Sequence, residues 1–287
     1  MSKAFKSQVS LHGLRAYIDR LNNLVSNGAF VSGGDRAIGR QGGSVVLPGS
    51  PGVVAQFNDF LGHLADTGGL DGWEMVNGDN DTGVTGSIAY VSATNGVIRL
   101  NGVTSMQPAP AHNLGLSTNA MKNWKANQGN LRFAARVKLP SLATANVFVG
   151  FSDSGGADMP AYDTGTNAAI GFLSNMTDGA GFMFGPGGSS TAWRPVATAG
   201  DSDQVASGGT SYSPTANVYD VLEVEFSSDS GQRVDFFVNG LFAGKIDNPV
   251  NAASGLAPGA WMFSNDTGTT QLDIDWINVS GNRDTGT

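Results

Sequence analysis

The 287-residue sequence predicts an all-β protein in which two antiparallel sheets pack face to face as a sandwich. Its 41 glycines and its low share of charged residues, 14%, suit many short strands joined by glycine turns. Strand-like runs separated by turns follow one another through residues 217–281. Because each of these strands has one apolar face, a meander of this kind requires a second sheet to cover it.

The first elements of the chain are predicted to be a helix and an extended arm. Residues 7–26 carry apolar side chains at spacings of three and four, which is typical of a helix with one apolar stripe. The stripe consists of Leu11, Leu14, Ile18, Leu21 and Val25, and the basic residues Arg15 and Arg20 lie on other sides. Two alternatives remain open: this helix packs on its own domain, or it docks on copies of itself or on a partner.

Residues 32–52 form the predicted arm, since they hold seven glycines and two prolines and show little periodicity. The sequence therefore divides into a helix and basic arm, 1–52, and a folded body, 53–287. Residues 1–50 contain six basic side chains, including Arg36 and Arg40, against two acidic ones, so their net charge is +4. The overall charge is −8, which leaves −12 for the remainder. An acidic protein surface is the partner that this asymmetry favours.

Period-two alternation predicts the strands of the body. In 131–139 the apolar residues alternate with basic ones, and in 270–279 Leu272, Ile274 and Trp276 are expected on one face. Asn239-Gly240 supplies the residues that a tight hairpin turn prefers. Residues 154–167 and 200–213 are expected to be polar loops. The other predicted strands are 146–153, 168–174, 181–184, 218–226, 233–239 and 241–246.

Short pieces in a fixed order resemble the concanavalin A-like, laminin-G-like jelly rolls, and specifically those found among structural proteins of tailed bacteriophages. The pieces are FNDFLG (57–62), Trp73, GVIRL (96–100), NWK (123–125), FAARVKL (133–139), FVGFSD (148–153), AIGF (169–172), LEV (222–224), FVNG (237–240) and DIDWI (273–277). The resemblance covers roughly residues 53–283. It implies two antiparallel sheets of six or seven strands each, whose inner faces form the core.

The residues needed for glycoside hydrolysis are incomplete. Retaining family members carry a Glu-x-Asp-x-Glu strand, because that mechanism needs two carboxyl groups about 5–5.5 Å apart. Here Glu223 and Glu225 share a strand face but lack the intervening aspartate, so we interpret them as part of a solvated face. The histidines, His12, His63 and His112, are far apart, and the chain has no cysteine. We therefore expect no catalytic activity.

A structural calcium ion is one interpretation of Asp79 and Asp81, which lie in a glycine-ended loop with hard oxygen ligands. The resemblance adds Asp275, because many relatives bind calcium near an aspartate of the last strand. An Asx-rich turn without metal is the alternative for the loop. Trp193 and Tyr162, expected in loops, are candidates for stacking on sugar rings, although packing is the more common role of such aromatic residues.

These observations predict a non-enzymatic virion protein: a capsid decoration protein whose N-terminal helix and arm hold it on the major capsid protein. The expected contact residues are Leu11, Leu14, Arg15, Ile18, Arg20, Leu21, Val25, Arg36 and Arg40. A homo-oligomer, a trimer above all, suits capsid symmetry. The alternative is a carbohydrate-binding attachment module for a host glycan. The protein is expected on the capsid exterior after synthesis in the host cytoplasm, with neither nucleic acid nor a membrane as partner.

Overall fold

The computed structural model describes residues 44–45, 53–58, 73–77, 86–91, 96–102, 113–118, 122–143, 145–154, 160–162, 173–185, 191–227, 231–264 and 270–282. The predicted N-terminal helix and most of the predicted arm lie outside these ranges, as do Asp79 and Asp81. In the part of the chain that is described, no helix has the length and apolar character needed to cross a bilayer.

The described residues form two large sheets, a small hairpin and one 3-10 turn, Ala126–Gln128. The first nine strands are β1 (Ser44–Val45), β2 (Val53–Asn58), β3 (Glu74–Asn77), β4 (Ser87–Tyr90), β5 (Ile98–Gly102), β6 (Leu114–Ser117), β7 (Arg132–Lys138), β8 (Ala145–Ser152) and β9 (Ala161–Tyr162). The others are β10 (Leu173–Ser174), β11 (Asp178–Phe184), β12 (Arg194–Ala199), β13 (Ser202–Val205), β14 (Tyr219–Phe226), β15 (Arg233–Val238), β16 (Leu241–Asp247), β17 (Ala257–Ser264) and β18 (Thr270–Asn282).

The nine-stranded sheet has the order β1-β2-β18-β7-β14-β15-β16, with β5 also pairing with β18 and β4 pairing with β5. The seven-stranded sheet has the order β13-β12-β11-β8-β17-β6-β3. Every strand pair is antiparallel. The predicted all-β sandwich of two antiparallel sheets is therefore confirmed.

The core lies between the two sheets, and contacts between aromatic rings join them. Phe151 of β8 packs edge-on against Phe133 of β7, with ring centroids 5.6 Å apart. Phe182 of β11 makes the same kind of contact with Phe236 of β15, at 5.5 Å. All four rings are fully buried, and each buried aromatic side chain contributes about 1.5–3 kcal/mol of transfer free energy. These contacts fix how the two sheets face each other.

Turn residues determine two hairpins of the sandwich. Asn239 and Gly240 connect β15 to β16 with φ values of 53° and 75°, the left-handed conformation of a type I′ turn, which confirms the predicted turn. Gly200 and Asp201 connect β12 to β13 in the same way, with φ values of 54° and 63°. Residues 200–213 are therefore not entirely a loop, as the sequence predicted, because β13 follows this second turn. The predicted loop 154–167 likewise contains β9.

A β-bulge in β18 corrects the predicted face of Trp276. The pairing register with β7 shifts between Ile274 and Trp276, so one extra residue enters β18 at this point. Leu272 and Ile274 are buried as expected, but beyond the bulge it is Ile277 and Val279 that point into the core. Trp276 is only partly buried and lies on the outer face beside Arg136.

The predicted arm joins the body before its expected end. Ser44 and Val45 pair with Gln56 and Ala55 as the edge strand β1 of the nine-stranded sheet. β1 thus forms one margin of this sheet. The opposite margin is formed by β16.

Candidate functional site

An ion-pair cluster occupies one end of the outer face of the nine-stranded sheet. Asp273 of β18 lies between Arg99 of β5 and Lys138 of β7 because the three residues are paired across adjacent strands. Arg99 binds its carboxylate with both Nε and Nη2, at 2.5 and 2.9 Å, and Lys138 Nζ lies 3.0 Å away. The Asp273 side chain is 0% exposed. Two cations therefore compensate a carboxylate that water does not reach.

Tyr219 of β14 extends this cluster. Arg136 and Lys138 lie over its ring, 4.3 and 4.9 Å from the centroid. Burial raises the pKa of the Tyr219 hydroxyl, and the charges of Asp273 and Asp275 raise it further. The tyrosine therefore stays neutral and serves as a platform for the two cations.

Asp275, the calcium ligand suggested by the resemblance, sits in the bulge of β18, and its carboxylate forms an ion pair with Arg136. Among the described residues, no three His, Cys, Asp or Glu side chains lie together as a metal site requires. Asp79 and Asp81 lie outside the described residues, so the calcium site stays a prediction. The nine predicted contact residues of the helix and arm also lie outside them.

A row of outward-facing side chains crosses the same sheet face near β16. Cross-strand pairing places Ala134, Glu223, Phe237 and Phe242 side by side on β7, β14, β15 and β16, and we call these four residues the aromatic row. The rings of Phe237 and Phe242 meet edge-on with centroids 5.8 Å apart. Phe242 is 39% exposed, whereas Leu241 pairs with the buried Val238 and so points to the opposite face of the sheet. This face therefore carries a pair of aromatic rings at this end and the ion-pair cluster at the other.

Glu223 is the carboxylate of the aromatic row. Burial raises its pKa, the negative charge of Glu225 raises it further, and Arg132 opposes both effects. Glu225 faces Arg132 at 3.5 Å, whereas the ion pairs of the described residues do not include Glu223. The predicted solvated face is thus only half-solvated at Glu223, because Ala134 and Phe237 flank it.

Trp193, a candidate for stacking on a sugar, is buried instead. Only 2% of its surface is exposed, its ring packs on Phe184, and its indole N–H donates to Asp220 at 2.8 Å. Tyr162 is partly buried and packs against the core. The expectation that Trp193 lies in an accessible loop was wrong, because the residue forms a bridge to Tyr212 next to β12.

The outer face of the seven-stranded sheet carries two aromatic residues that the sequence analysis did not single out. Phe148 and Trp261 are paired across β8 and β17, with ring centroids 5.8 Å apart, and both are fully buried. Trp261 lies over Gly115 and Gly259, since a Cβ atom at either glycine would collide with the indole. The indole N–H of Trp261 has no hydrogen-bond partner among the described residues. In the sequence, Gly115 of β6 and Gly259 of β17 are the features that could have indicated a large side chain packed on this face.

The hairpin β9–β10 covers part of this second face. It contacts β8 and β11, and Met176, just beyond it, places its sulfur against Gly179 of β11. The backbone N–H of Asn175 donates to the carbonyl of Pro160 at 2.8 Å and fixes the hairpin. The hairpin and Met176 therefore cover the outer face of the seven-stranded sheet at β8 and β11.

Comparison with known proteins supports the fold. No protein-family model and no curated protein matches the chain. A solved structure of a protein of unknown function from Shewanella oneidensis MR-1 is 10% identical, with a TM-score of 0.50, and the match covers 83% of this chain and 90% of that one. Peanut lectin in complex with a 9mer peptide is 13% identical, with a TM-score of 0.51, and the match covers 81% and 99% of the two chains.

A Bacillus licheniformis β-glucanase is also similar, at 12% identity over 84% of this chain and 99% of that one, but its TM-score of 0.46 supports no argument about activity. Identities this low show the fold alone. The chain thus has a lectin-like, concanavalin A-like jelly roll, as the resemblance implied.

Proposed function

We propose that this chain is a non-enzymatic virion protein of a tailed bacteriophage: a capsid decoration protein held on the major capsid protein by residues 1–52. The jelly-roll body is displayed on the capsid exterior, and a trimeric assembly fits the symmetry of such a lattice. Neither the fold nor its distant relatives specify this role, so the support comes from charges and residues of the chain itself.

The observation that carries the proposal is the pairing of carboxylates on the nine-stranded sheet. Asp273, Asp275 and Glu225 each face a cation on a neighbouring strand. A glycosidase needs one carboxyl group to protonate the leaving group and a second one opposite it. The paired carboxylates stabilise the sheet instead, and Glu223 has only Glu225 of its own strand as an acidic neighbour among the residues that perturb it. This arrangement favours a structural role.

The anchoring role of the N-terminal segment rests on charge and on the position of β1. Residues 1–50 carry +4, while the rest of the chain carries −12. A segment of opposite charge to its own body is suited to an acidic partner surface. Ser44 and Val45 form the edge strand β1, so the proposed anchor joins the body at a margin of the sheet.

The test is the occupancy of capsids that lack the decoration protein. Full-length protein and a variant lacking residues 1–43 are added at equal concentrations, and the bound protein is measured after sedimentation. Truncation at residue 43 keeps β1 in place, so the sheet edge remains intact. We expect occupancy to fall at least about tenfold, which corresponds to about 1.4 kcal/mol of lost binding free energy. Equal occupancy by both proteins would exclude the anchoring role.

A carbohydrate-binding attachment module is the second candidate, favoured by the fold shared with peanut lectin and by an exposed aromatic side chain. Trp193, the stacking candidate from the sequence, is buried and therefore unsuitable for a test of this function. Phe242 is the better choice, since the residue is 39% exposed and its ring packs on Phe237, the cross-strand partner of Glu223. Saturable binding on a glycan array that disappears in Phe242→Ala would place this function above the first.

A further inference from the structure

The ion-pair cluster on the outer face of the nine-stranded sheet contains more cations than carboxylates. Asp273 pairs with both Arg99 and Lys138, while Asp275 pairs with Arg136. Three positive side chains therefore face two negative ones, which leaves a surplus of one positive charge. The chain beyond residue 50 carries −12, the difference between −8 overall and +4 in residues 1–50. The cluster is thus a positively charged position on an acidic body.

Several hydrogen-bond donors of this cluster have no acceptor. Arg136 binds Asp275 through Nη1, and none of the described residues accepts a hydrogen bond from its Nε or Nη2. Lys138 pairs with Asp273, so two of its three N–H groups are left without an acceptor in the part of the chain that the structure describes. The side chains of Arg136 and Lys138 are 39% and 17% exposed, so a ligand can reach these donors from solvent.

Tyr219 brings the two cations together. Arg136 and Lys138 are two residues apart on β7, and both lie over the Tyr219 ring, so their unused N–H groups are neighbours. Stacking on the ring and the bond to Asp275 restrict the guanidinium before any ligand arrives, which lowers the entropy cost of binding. Burial, and then the charges of Asp273 and Asp275, raise the pKa of Tyr219, so its hydroxyl keeps its proton and is a further donor.

We propose that the ion-pair cluster binds one oxyanion group, a carboxylate or a phosphate, between Arg136 and Lys138. A guanidinium presents N–H groups in a planar fork that matches two oxygens of such a group, and an ammonium adds a compact charge. The surplus of one positive charge fits a singly charged group. An acidic sugar and a phosphate compound are the two sources of this chemistry, and the experiment below distinguishes them.

The test is a titration of the full chain followed by the indole N–H signals of its tryptophans in NMR spectra. Trp276 is the cross-strand partner of Arg136, so its signal reports on the cluster, and Trp276→Phe assigns it. Trp261 lies on the other sheet and serves as the internal reference. The ligands are sodium glucuronate, inorganic phosphate and uncharged glucose, at equal ionic strength near neutral pH. We expect a saturable shift of the Trp276 signal with an anion and none with glucose.

Three variants change the cluster in different directions. Lys138→Gln removes the surplus charge and should weaken anion binding at least about tenfold. Asp275→Asn frees Nη1 of Arg136 and raises the surplus to two, so binding should become at least about threefold tighter. Arg233→Gln is the matched control, because it removes another ion-paired arginine from the same sheet face and should leave the affinity unchanged. Thermal unfolding without ligand shows that each variant is folded.

The two anions identify the source of the oxyanion. A shift with glucuronate alone supports the proposal and indicates an acidic sugar, whereas a shift with phosphate alone supports it and indicates a phosphate compound. The absence of a saturable shift with either anion would overturn the proposal. Unchanged affinities in both Lys138→Gln and Asp275→Asn would also overturn it, since the anion would then bind elsewhere on the protein.

The oxyanion site is independent of the proposed anchor, because β5, β7, β14 and β18 supply all of its residues. The variant lacking residues 1–43 should therefore bind the anion with the affinity of the full chain. If the anion binds but this truncation leaves capsid occupancy unchanged, the oxyanion site stands and the anchoring role is wrong. If no anion binds but truncation lowers occupancy, the anchoring role stands and the oxyanion site is wrong.

Discussion

The indole N–H of Trp193 donates a hydrogen bond of 2.8 Å to Oδ2 of Asp220, and this bond joins the two sheets. Trp193 leads into β12 of the seven-stranded sheet, while Asp220 belongs to β14 of the other. The second carboxylate oxygen accepts a bond of 2.9 Å from Asn239, whose own side-chain oxygen accepts from the N–H of Val221 at 2.8 Å. One buried carboxylate thus links an inter-sheet contact to a hairpin turn.

Replacing Asp220 by alanine should destabilise the protein by about 2–4 kcal/mol. The substitution leaves the buried N–H of Trp193 without its acceptor, which costs about 1–3 kcal/mol. It also removes the hydrogen bond to the exposed Asn239, which is worth about 1 kcal/mol. Urea unfolding followed by tryptophan fluorescence measures the change. Asp247→Ala is the matched control, because this residue is exposed on β16 and its loss should cost less than about 0.5 kcal/mol. Similar losses in both variants would contradict the linking role.

Asp273→Ala should also cost about 2–4 kcal/mol, because it leaves Arg99 and Lys138 facing each other without the carboxylate between them. This loss of stability is smaller than for a fully buried ion pair, because the side chains of Arg99 and Lys138 remain partly exposed to water. Asp235→Ala removes the exposed ion pair with Arg233 and should cost less than about 1 kcal/mol. Denaturant titrations at low and high salt test the difference; an equal cost for the two variants would show that the Asp273 cluster is not structural.

Gly115→Ala should destabilise the protein by about 1–3 kcal/mol through overpacking. A Cβ atom there would lie 2.9 Å from Nε1 of Trp261, and closer still to Cδ1, with the indole held against the sheet. At Gly281 the nearest atoms, in Leu131 and Trp124, are 3.5 Å from such a Cβ, which is an ordinary contact. Gly281→Ala should therefore be neutral or stabilising by a few tenths of a kcal/mol. Thermal unfolding that ranks the two variants in the reverse order would refute the close approach of Trp261.

Glu223→Gln should raise the free energy of unfolding near neutral pH, and the advantage should vanish in acid. Burial first, and then the charge of Glu225, raises the pKa of Glu223 in the folded protein. The destabilisation is therefore complete above this raised pKa and is relieved as the pH falls through it towards the ordinary glutamate value of 4.5. Unfolding measured between about pH 4 and pH 8 reveals the trend. A difference that does not change with pH would exclude this cause.

Local patterns were sufficient for the strands that have one solvated face. In β7 and β14 buried and partly exposed residues alternate along the whole strand, and the sequence shows the same period of two. The turn at Asn239-Gly240 follows from residues that tolerate a positive φ. Such features depend only on neighbours in the chain, and the second sheet followed from the need to cover the apolar faces.

The strands that the sequence did not reveal are buried on both faces or lie at an edge. In β12 and β17 small residues, a proline and consecutive apolar side chains replace the alternation, and residues 195–198 and 257–262 are buried without interruption. β13 is short and polar, and only the turn at Gly200-Asp201 indicates it. Periodicity fails wherever both sides of a strand are covered.

The sequence by itself determined the all-β class, the main hairpin, the polarity of the nine-stranded sheet and the charge difference between arm and body, since these depend on spacing and composition. Only the tertiary structure decided that Trp276 turns outward at a bulge, that Trp193 is buried on Asp220, and that Glu223 shares a surface with Phe237 and Phe242. These relationships join residues that are distant in sequence, and strand pairing and register alone bring them together.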